Sequence, residues 1–267
     1  MFENEVFSKE EEFHDKWAGA MNMDEILVDE FFEVCTAPEN RLILSRLGDL
    51  RGKKILELGS GAGEGAVYFA KQGADATATD ISAGMLRVAE KLAQIHNVKI
   101  DTKQCISTAL PFEEGTFDVV YAANLLHHVD VEATLKEARR VLKKCGTFVS
   151  WDPLIYNPAI NYYRKIATKV RTEDEHPLRM KDINAAKRVF SKVRTEFTWF
   201  LTLLIFVKYF FIDRIKPNSE RYWKKIIVEH EKLSGLYNRL EKADKILLSV
   251  LPFMKRFCWN VVIIGTK

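Results

Sequence analysis

The sequence has few cysteines, and none of them is placed for a shared role. Its 267 residues include four, Cys35, Cys105, Cys145 and Cys258, with no CxxC pair and no histidine cluster nearby. This spacing argues against a zinc site and against a disulfide framework, and it suits a reducing compartment. We therefore expect no bound metal.

The sequence shows no signal-peptide pattern and no low-complexity tract. The residues from Met1 to Glu5 lack the basic and then apolar pattern of a signal peptide, so we expect a cytoplasmic protein. No internal repeat is visible. With 47% hydrophobic residues the chain can bury a large core, and we expect one elaborated domain.

The net charge of +3 conceals an uneven distribution. Residues 1–151 hold 17 basic and 25 acidic side chains, whereas residues 152–267 hold 23 basic and 12 acidic ones. The second part is also rich in large apolar residues. Such a surface suits an anionic membrane or an anionic lipid-like substrate. A solvated basic face explains the charge equally well.

The most informative segment is an apolar run that leads into a glycine-rich loop. It reads Ile55-Leu56-Glu57-Leu58-Gly59-Ser60-Gly61-Ala62-Gly63, and residues 64–71 then have the pattern of a helix. Glycine permits close approach of a ligand, and a helix N-terminus offers it unpaired N–H groups. Asp80 closes the next strand about twenty residues on, where a carboxylate accepts the hydroxyls of a ribose. The segment predicts a nucleoside-cofactor site.

The glycines alone leave two cofactors open. Gly61, Gly63 and Ala66 satisfy the G-x-G-x-x-A form of the dinucleotide fingerprint, so an NAD(P)-dependent oxidoreductase is one alternative. Glu57 favours S-adenosylmethionine instead, because a carboxylate at the end of the strand can face the ammonium of the methionyl group.

Further motifs follow in a characteristic order. They are Leu110-Pro111-Phe112-Glu113-Glu114-Gly115-Thr116-Phe117-Asp118-Val119-Val120, Asn124-Leu125-Leu126-His127-His128, and Leu135–Lys143 leading into Gly146-Thr147-Phe148. With the glycine loop, they make residues 45–152 resemble the class I S-adenosylmethionine-dependent methyltransferases, in particular the ubiquinone and menaquinone biosynthesis branch. One departure is Lys144-Cys145-Gly146, which stands where the family usually carries Pro-Gly-Gly.

The resemblance implies a Rossmann-like α/β fold, with a mostly parallel seven-stranded sheet and helices on both faces. The alternation of strand and helix patterns also predicts parallel pairing with right-handed crossovers. Ser82 and Asp130 are expected to cap two of the helices. Strands are expected at Lys53–Leu58, Ala76–Thr79, Lys99–Cys105, Asp118–Ala122, Thr147–Trp151, Val189–Trp199 and Phe257–Gly265.

We divide the chain into three parts. Residues 1–44 are expected to be a helical extension that caps the cofactor, and residues 45–152 its binding core. Residues 153–267 are expected to bind the acceptor and to complete the sheet, with helical insertions after the fifth strand and between the last two.

The predicted cofactor site follows from these motifs and strand ends. It comprises Glu57, Gly59, Gly61, Gly63, Asp80, Ile81, Met85, Cys105, Ile106 and Asn124. Cys105 and Ile106 stand where the family usually holds the adenine edge, although its common acidic residue is missing here. On the same resemblance, His14 and Trp17 close over the cofactor; a packing role for Trp17 fits equally.

Methyl transfer from a sulfonium chiefly requires positioning of the acceptor. An acceptor that loses a proton also needs a base, and the candidates by position are His127, His128, His176 and Asp152. His176 belongs to Thr172–Pro177, which is equally interpreted as a solvated loop. Nucleic acid is not an expected substrate, because Asn124 lacks a following Pro-Pro-aromatic sequence and no aromatic stacking platform is evident.

Residues 199–212 form a second unusual segment, apolar almost all round. As a fourteen-residue helix it would span about 21 Å, which is short of a roughly 30 Å bilayer core. Three interpretations remain open: a lid over an apolar acceptor pocket, a peripheral membrane contact through residues 199–225, or a homodimer contact.

Taken together, these patterns predict S-adenosylmethionine-dependent methyl transfer to a small, apolar or lipid-like acceptor, with O- or C-methylation favoured. Two alternatives stay open: an NAD(P)-dependent oxidoreductase, and a noncatalytic S-adenosylmethionine-binding or membrane-adaptor protein.

Overall fold

The computed structural model describes residues 11–12, 14–166, 176–216, 218 and 220–267. Seven strands form one sheet in the order β3-β2-β1-β4-β5-β7-β6. The strands are β1 (Lys54–Leu58), β2 (Asp75–Asp80), β3 (Asp101–Gln104), β4 (Phe117–Ala123), β5 (Leu142–Pro153), β6 (Lys192–Thr198) and β7 (Asn260–Thr266). The first five pair in parallel, and β7 runs antiparallel to both β5 and β6. The predicted mostly parallel, Rossmann-like sheet is confirmed.

Helices cover both faces of this sheet. They are α1 (residues 14–19), α2 (Glu30–Glu33), α3 (Pro38–Leu47), α4 (Glu64–Lys71), α5 (Ala83–Ile95), α6 (Val131–Val141), α7 (Pro158–Ile166), α8 (Met180–Val189), α9 (Leu204–Phe211), α10 (Tyr222–Val228) and α11 (His230–Val250). Short 3₁₀ turns lie at Met23–Glu25, Leu126–His128, Leu201–Leu203 and Pro252–Phe257.

Strand β4 shows why both faces are covered. Its residues alternate between two buried apolar clusters, because successive side chains of a strand point to opposite faces. Val120 and Ala122 belong to the cluster that α6 and α8 complete. Val119 and Tyr121 belong to the one that α3, α4 and α5 complete. A strand buried on both sides has a nearly continuous apolar sequence, as this one does.

Local signals set several helix boundaries as predicted. The Ser82 hydroxyl accepts a hydrogen bond from the Met85 N–H at 3.0 Å, and the Asp130 carboxylate accepts one from the Ala133 N–H at 3.0 Å. Both caps are confirmed. Strand β5 starts directly after α6 and is longer than predicted. Within it Cys145 has φ +62°, a left-handed conformation at a position where the resembling family usually carries glycine.

The apolar segment 199–212 is not a single helix. Trp199 has φ +64°, a 3₁₀ turn follows at Leu201–Leu203, and only then does the eight-residue α9 begin. Buried Asp244 of α11 accepts N–H hydrogen bonds from Leu201 and Thr202, at 2.5 and 3.3 Å, which fixes the start of the turn. Within the described ranges, no helix combines the length and apolarity needed to cross a bilayer.

Candidate cofactor and acceptor site

A cavity of about 940 Å³ opens at the carboxyl ends of the parallel strands. It lies beside the point where the strand order reverses between β1 and β4, which is where ligands bind in open α/β sheets. The loops after β1, β2 and β4 line one end. Residues of α1, α3 and α10 also contribute to the lining.

The glycine loop contributes two of its three glycines to the cavity lining. Gly59 and Gly61 line it, whereas Gly63 does not. Gly63 has φ +85° and begins α4, and a Cβ there would stand 2.4 Å from the Ala89 Cβ. It therefore allows α4 and α5 to pack closely. At Gly61 (φ +52°) a Cβ would meet nothing within 4 Å, so the backbone faces open space.

Glu57 lies at the end of β1 and lines the cavity. Its Oε2 accepts a hydrogen bond from the Ala66 N–H at 2.6 Å, in the first turn of α4. The side chain fits because Gly65 has no Cβ, which would lie 2.2 Å from Oε1. Glu57 is 5% exposed. Burial, together with the nearby charges of Glu64 and Asp80, raises its pKa well above the usual carboxyl range.

Asp80 is the last residue of β2, and its side chain connects the loop after β1 to the loop after β2. Its carboxylate accepts hydrogen bonds from the Gly61 N–H at 2.8 Å and from the Ser82 N–H at 2.9 Å. Burial raises its pKa. Four predicted cofactor residues line the cavity as well: Ile81, Met85, Cys105 and Ile106. Asn124 also lines it, in a left-handed conformation with φ +57°.

Helix α1 reaches this end through Asp15. The Asp15 carboxylate accepts hydrogen bonds from the Ser82 hydroxyl and from the Gly84 N–H, at the N-terminus of α5. These bonds lower its pKa. His14 and Trp17 consequently line the cavity. Sequence reasoning missed Asp15, because nothing local distinguishes it from an ordinary exposed helical acid.

Helix α10 and the residues before it close the cavity from the opposite side. The Arg221 guanidinium lies 4.7 Å from the centre of the Trp17 ring. Lys224 forms an ion pair with Glu25 at 2.9 Å. Arg221, Lys224 and Lys225 belong to residues 199–225, for which a peripheral membrane contact was one of three interpretations, and all three line the cavity.

His127 and Asp152, distant in sequence, form a buried pair. The His127 Nδ1 lies 2.9 Å from an Asp152 oxygen, and its backbone N–H donates to the same oxygen at 3.3 Å. Their residues are 4% and 0% exposed. Burial raises the pKa of Asp152 well above its usual range. His127 and His128 line the cavity, with ring centres 4.1 Å apart, whereas Asp152 lies behind them.

His176 lies farther out. It is exposed and absent from the lining formed by the described residues, although its N–H donates to the His127 carbonyl at 2.9 Å. The preceding loop residues 172–175 lie outside the described part of the chain.

Helix α3 adds two polar residues that sequence reasoning missed. Glu39 is buried and accepts hydrogen bonds from the Thr198 hydroxyl and from the Asn260 amide, the latter at 2.9 Å. Burial raises its pKa. The Asn40 carbonyl oxygen accepts from the Tyr121 hydroxyl at 2.8 Å. Aromatic side chains also line this half: Phe31, Trp151, Tyr163, Trp199 and Trp259.

No metal-binding arrangement occurs among the residues that the structure describes. No group of three or more His, Cys, Asp or Glu side chains in that part is placed to hold an ion. All four cysteines are free thiols.

The motifs that build the cofactor end also define a family. Residues 56–150 match the family described as methyltransferase domain. This region is a methyltransferase domain. The prediction of an S-adenosylmethionine-dependent methyltransferase is confirmed at the level of this domain.

Similar proteins agree with that assignment. The chain is 35% identical over 115 residues to a ubiquinone biosynthesis O-methyltransferase of Acinetobacter baumannii, covering 42% of this chain and 48% of that protein. An uncharacterized protein of Mycobacterium tuberculosis is 27% identical over 142 residues, which cover 52% of this chain and 50% of that protein. The chain thus spans about half the length of the curated relatives it matches.

The likeness in fold extends beyond the domain. The solved structure of a geranyl diphosphate methyltransferase in complex with S-adenosylmethionine superposes with a TM-score of 0.57 at 16% identity, covering 86% of this chain and 84% of that one. At this identity the likeness concerns the fold alone.

Proposed function

We propose that this protein transfers a methyl group from S-adenosylmethionine to a small, apolar or lipid-like acceptor. One observation carries the proposal: a single cavity is lined both by carboxylates around the glycine loop and by several aromatic side chains. The carboxylates around the loop are Glu57, Glu64 and Asp80. The cofactor carries two positive charges, one on its ammonium and one on the sulfonium that bears the methyl group. Positive charges nearby favour the ionised form of a buried carboxylate, so the cofactor and these side chains are complementary.

The same carboxylates disfavour the oxidoreductase alternative. A dinucleotide usually places its diphosphate on the N-terminus of the helix after the glycine loop. Here the Glu57 carboxylate already accepts the Ala66 N–H in that turn, and Glu64 is its first residue. A diphosphate would oppose the ionisation of these two carboxyl groups, whereas the cofactor's ammonium would favour it.

The proposed binding roles follow the lining. Asp80 accepts the ribose hydroxyls, and Glu57 faces the ammonium. The backbone of Gly59 and Gly61 permits close approach, while Gly63 supports the loop by packing against α5. The remaining contacts are proposed for Ile81, Met85, Cys105, Ile106, Asn124, His14 and Trp17.

We further propose that His127 accepts a proton from a hydroxyl acceptor. When Nδ1–H donates to the Asp152 carboxylate, the lone pair of the ring is on Nε2, and this side chain lines the cavity. Asp152 acts as a positioning residue behind it. With the cofactor bound, His127 would take the hydroxyl proton at Nε2 while the acceptor oxygen gains the methyl group, the methyl carbon–sulfur bond breaks and S-adenosylhomocysteine leaves; the product would be an O-methyl ether or ester. Replacement of His127 by glutamine should lower kcat about 10²–10⁴-fold while leaving cofactor affinity unchanged.

Helix α9 supports a peripheral membrane contact. Its buried side packs on α11 and α10 through residues such as Phe206 and Tyr209. Its other side exposes four large apolar residues, namely Leu204, Val207, Phe211 and Ile212, the last two at 71% and 73%. An exposed apolar face of this kind is suited to the headgroup region of a bilayer.

The test of the proposed function is transfer of a labelled methyl group. The purified protein is incubated with methyl-labelled S-adenosylmethionine and an extract of its source cells, and the products are partitioned between organic and aqueous phases. We expect label in the organic phase with the wild type and loss of that label with His127→Gln. Label in the aqueous phase alone would contradict the lipid-like acceptor.

Two other outcomes point to the alternatives. Binding of S-adenosylhomocysteine without transfer of label to any product would favour the noncatalytic adaptor. Affinity for NAD together with none for S-adenosylhomocysteine would favour the oxidoreductase.

A further inference from the structure

Arg221 is a cationic side chain that the proposed methyl transfer does not use. It precedes α10, lines the cavity and is half-buried. Its guanidinium stacks over the Trp17 ring at 4.7 Å. No carboxylate among the described residues forms an ion pair with it.

The neighbouring lysines differ in this respect. Lys224 pairs with Glu25 at 2.9 Å. Lys225 pairs with Glu220 at 2.9 Å and with Glu229 at 3.4 Å. The charges of these two lysines are therefore compensated within the protein, whereas that of Arg221 is not. Burial lowers the pKa of Arg221, because an uncompensated cation is costly to desolvate.

The surroundings of Arg221 indicate the kind of ligand that would compensate its positive charge. Apolar and aromatic side chains, including Ile160, Trp199 and Trp259, line the same cavity. A planar guanidinium presents paired N–H groups that match the two oxygens of a carboxylate or a phosphate. Stacking on Trp17 restricts the plane of that group.

We propose that Arg221 recognises an anionic group, a carboxylate or a phosphate, on an otherwise apolar acceptor. The substrate class is thus an anionic amphiphile, whose apolar body lies against the aromatic wall and whose anion meets the guanidinium. This inference rests on the proposed function, since it names the acceptor of the same site. It also gives the basic residues around 221–225 a role inside the cavity.

The test is calorimetric titration of the full chain with four probes below their micellar concentrations. Dodecanoate and dodecyl phosphate carry the two anionic groups, dodecanol lacks a charge, and inorganic phosphate lacks the apolar body. The variants are Arg221→Met and Arg221→Lys, the second of which keeps the charge. Arg239→Met is the matched control, because Arg239 is an exposed arginine of α11 outside the cavity lining.

We expect the wild type to bind at least one anionic amphiphile about 10- to 100-fold more tightly than dodecanol, the range of a hydrogen bond to a charged group. Arg221→Met should abolish this preference without changing dodecanol binding. Arg221→Lys should retain part of it, and Arg239→Met should resemble the wild type. The comparison of dodecanoate with dodecyl phosphate identifies the anion.

Three results would overturn the inference. Arg221→Met could bind the anionic probes as the wild type does. This variant could instead bind the anionic and the neutral probes more weakly by the same factor, which would mean that Arg221 only holds Trp17 over the cavity. Finally, inorganic phosphate could bind as tightly as dodecyl phosphate, which would remove the apolar body from the ligand.

A titration with S-adenosylhomocysteine in the same samples keeps the two proposals separate. Anion preference that depends on Arg221, without binding of S-adenosylhomocysteine, would count against the cofactor assignment and not against Arg221. Binding of S-adenosylhomocysteine without anion preference would leave the cofactor site standing and contradict the role of Arg221.

Discussion

Replacement of Gly63 by alanine should destabilise the protein through two effects that can be separated. The residue has φ +85°, a conformation that costs an L-residue about 1–2 kcal/mol. The added Cβ would also stand 2.4 Å from the Ala89 Cβ and 3.0 Å from its Cα. Since backbone atoms cannot move aside cheaply, this overpacking adds about 1–3 kcal/mol. The expected loss in free energy of unfolding is about 2–5 kcal/mol.

Gly52→Ala provides the matched control. Gly52 has φ +70°, but a Cβ there would meet nothing within 4 Å. This variant should therefore show the conformational cost alone, about 1–2 kcal/mol. The entropy that alanine removes from the unfolded chain affects both variants alike and cancels in their comparison. Urea denaturation of the two variants measures the difference, which is the cost of forcing α4 away from α5.

Gly61→Ala completes the series, because it separates stability from binding. It has φ +52° and open space around the added Cβ, so its stability should match that of Gly52→Ala. Since Gly61 lines the cavity, the affinity of the Gly61→Ala variant for S-adenosylhomocysteine should nevertheless fall. Equal stability of Gly63→Ala and Gly52→Ala would refute the packing argument. Unchanged affinity of Gly61→Ala would remove the loop backbone from the cofactor site.

Four further predictions follow from other positions. Asp80→Ala should weaken S-adenosylhomocysteine binding by about 10-fold or more in calorimetry, because charged hydrogen bonds are lost; unchanged affinity would remove the ribose contact. Glu39→Gln should gain stability relative to the wild type as pH rises from the unfolded carboxyl pKa towards the raised folded pKa. In that range the carboxyl group ionises in the unfolded wild type but keeps its proton when buried, which favours unfolding. An unchanged stability difference between the two proteins from pH 4 to 8 would contradict this. Cys145→Gly should stabilise the protein by about 0.5–1 kcal/mol in urea denaturation, because φ is +62° there; a loss would argue against strain at this turn. Phe211→Ser should reduce sedimentation with anionic phospholipid vesicles without lowering stability, and equal sedimentation would count against the membrane contact.

The elements around the cofactor end were predictable because their signals are local. A buried strand, a glycine loop and a helix follow one another within residues 54–71. The capping residues Ser82 and Asp130 each accept a hydrogen bond from an N–H group three residues further on. Such patterns need no knowledge of the rest of the chain. For the same reason the pairing of His127 with Asp152 was only partly visible: both were candidates, but nothing in the sequence joined them.

The covering of the cavity was not predictable, because it depends on distant contacts. Asp15 meets Ser82, 67 residues away, and Trp17 meets Arg221 near the other end of the chain. Glu39 reads as an ordinary acid in the first turn of α3, yet Thr198 and Asn260 enclose it. The burial of a side chain by remote elements leaves no mark on its neighbours in sequence. The break at Trp199 is similar, since Asp244 of α11 imposes it.

The position of β7 has a consequence for the order in which the chain folds. This strand comes last in sequence, yet it lies between β5 and β6 and pairs with both. While a ribosome is still making residues 260–266, β6 has no partner in the sheet and β5 presents a bare edge. Such an edge invites pairing with other chains. Closing that gap completes the sheet in one step, so the growing polypeptide is most vulnerable to aggregation just before synthesis of this segment ends.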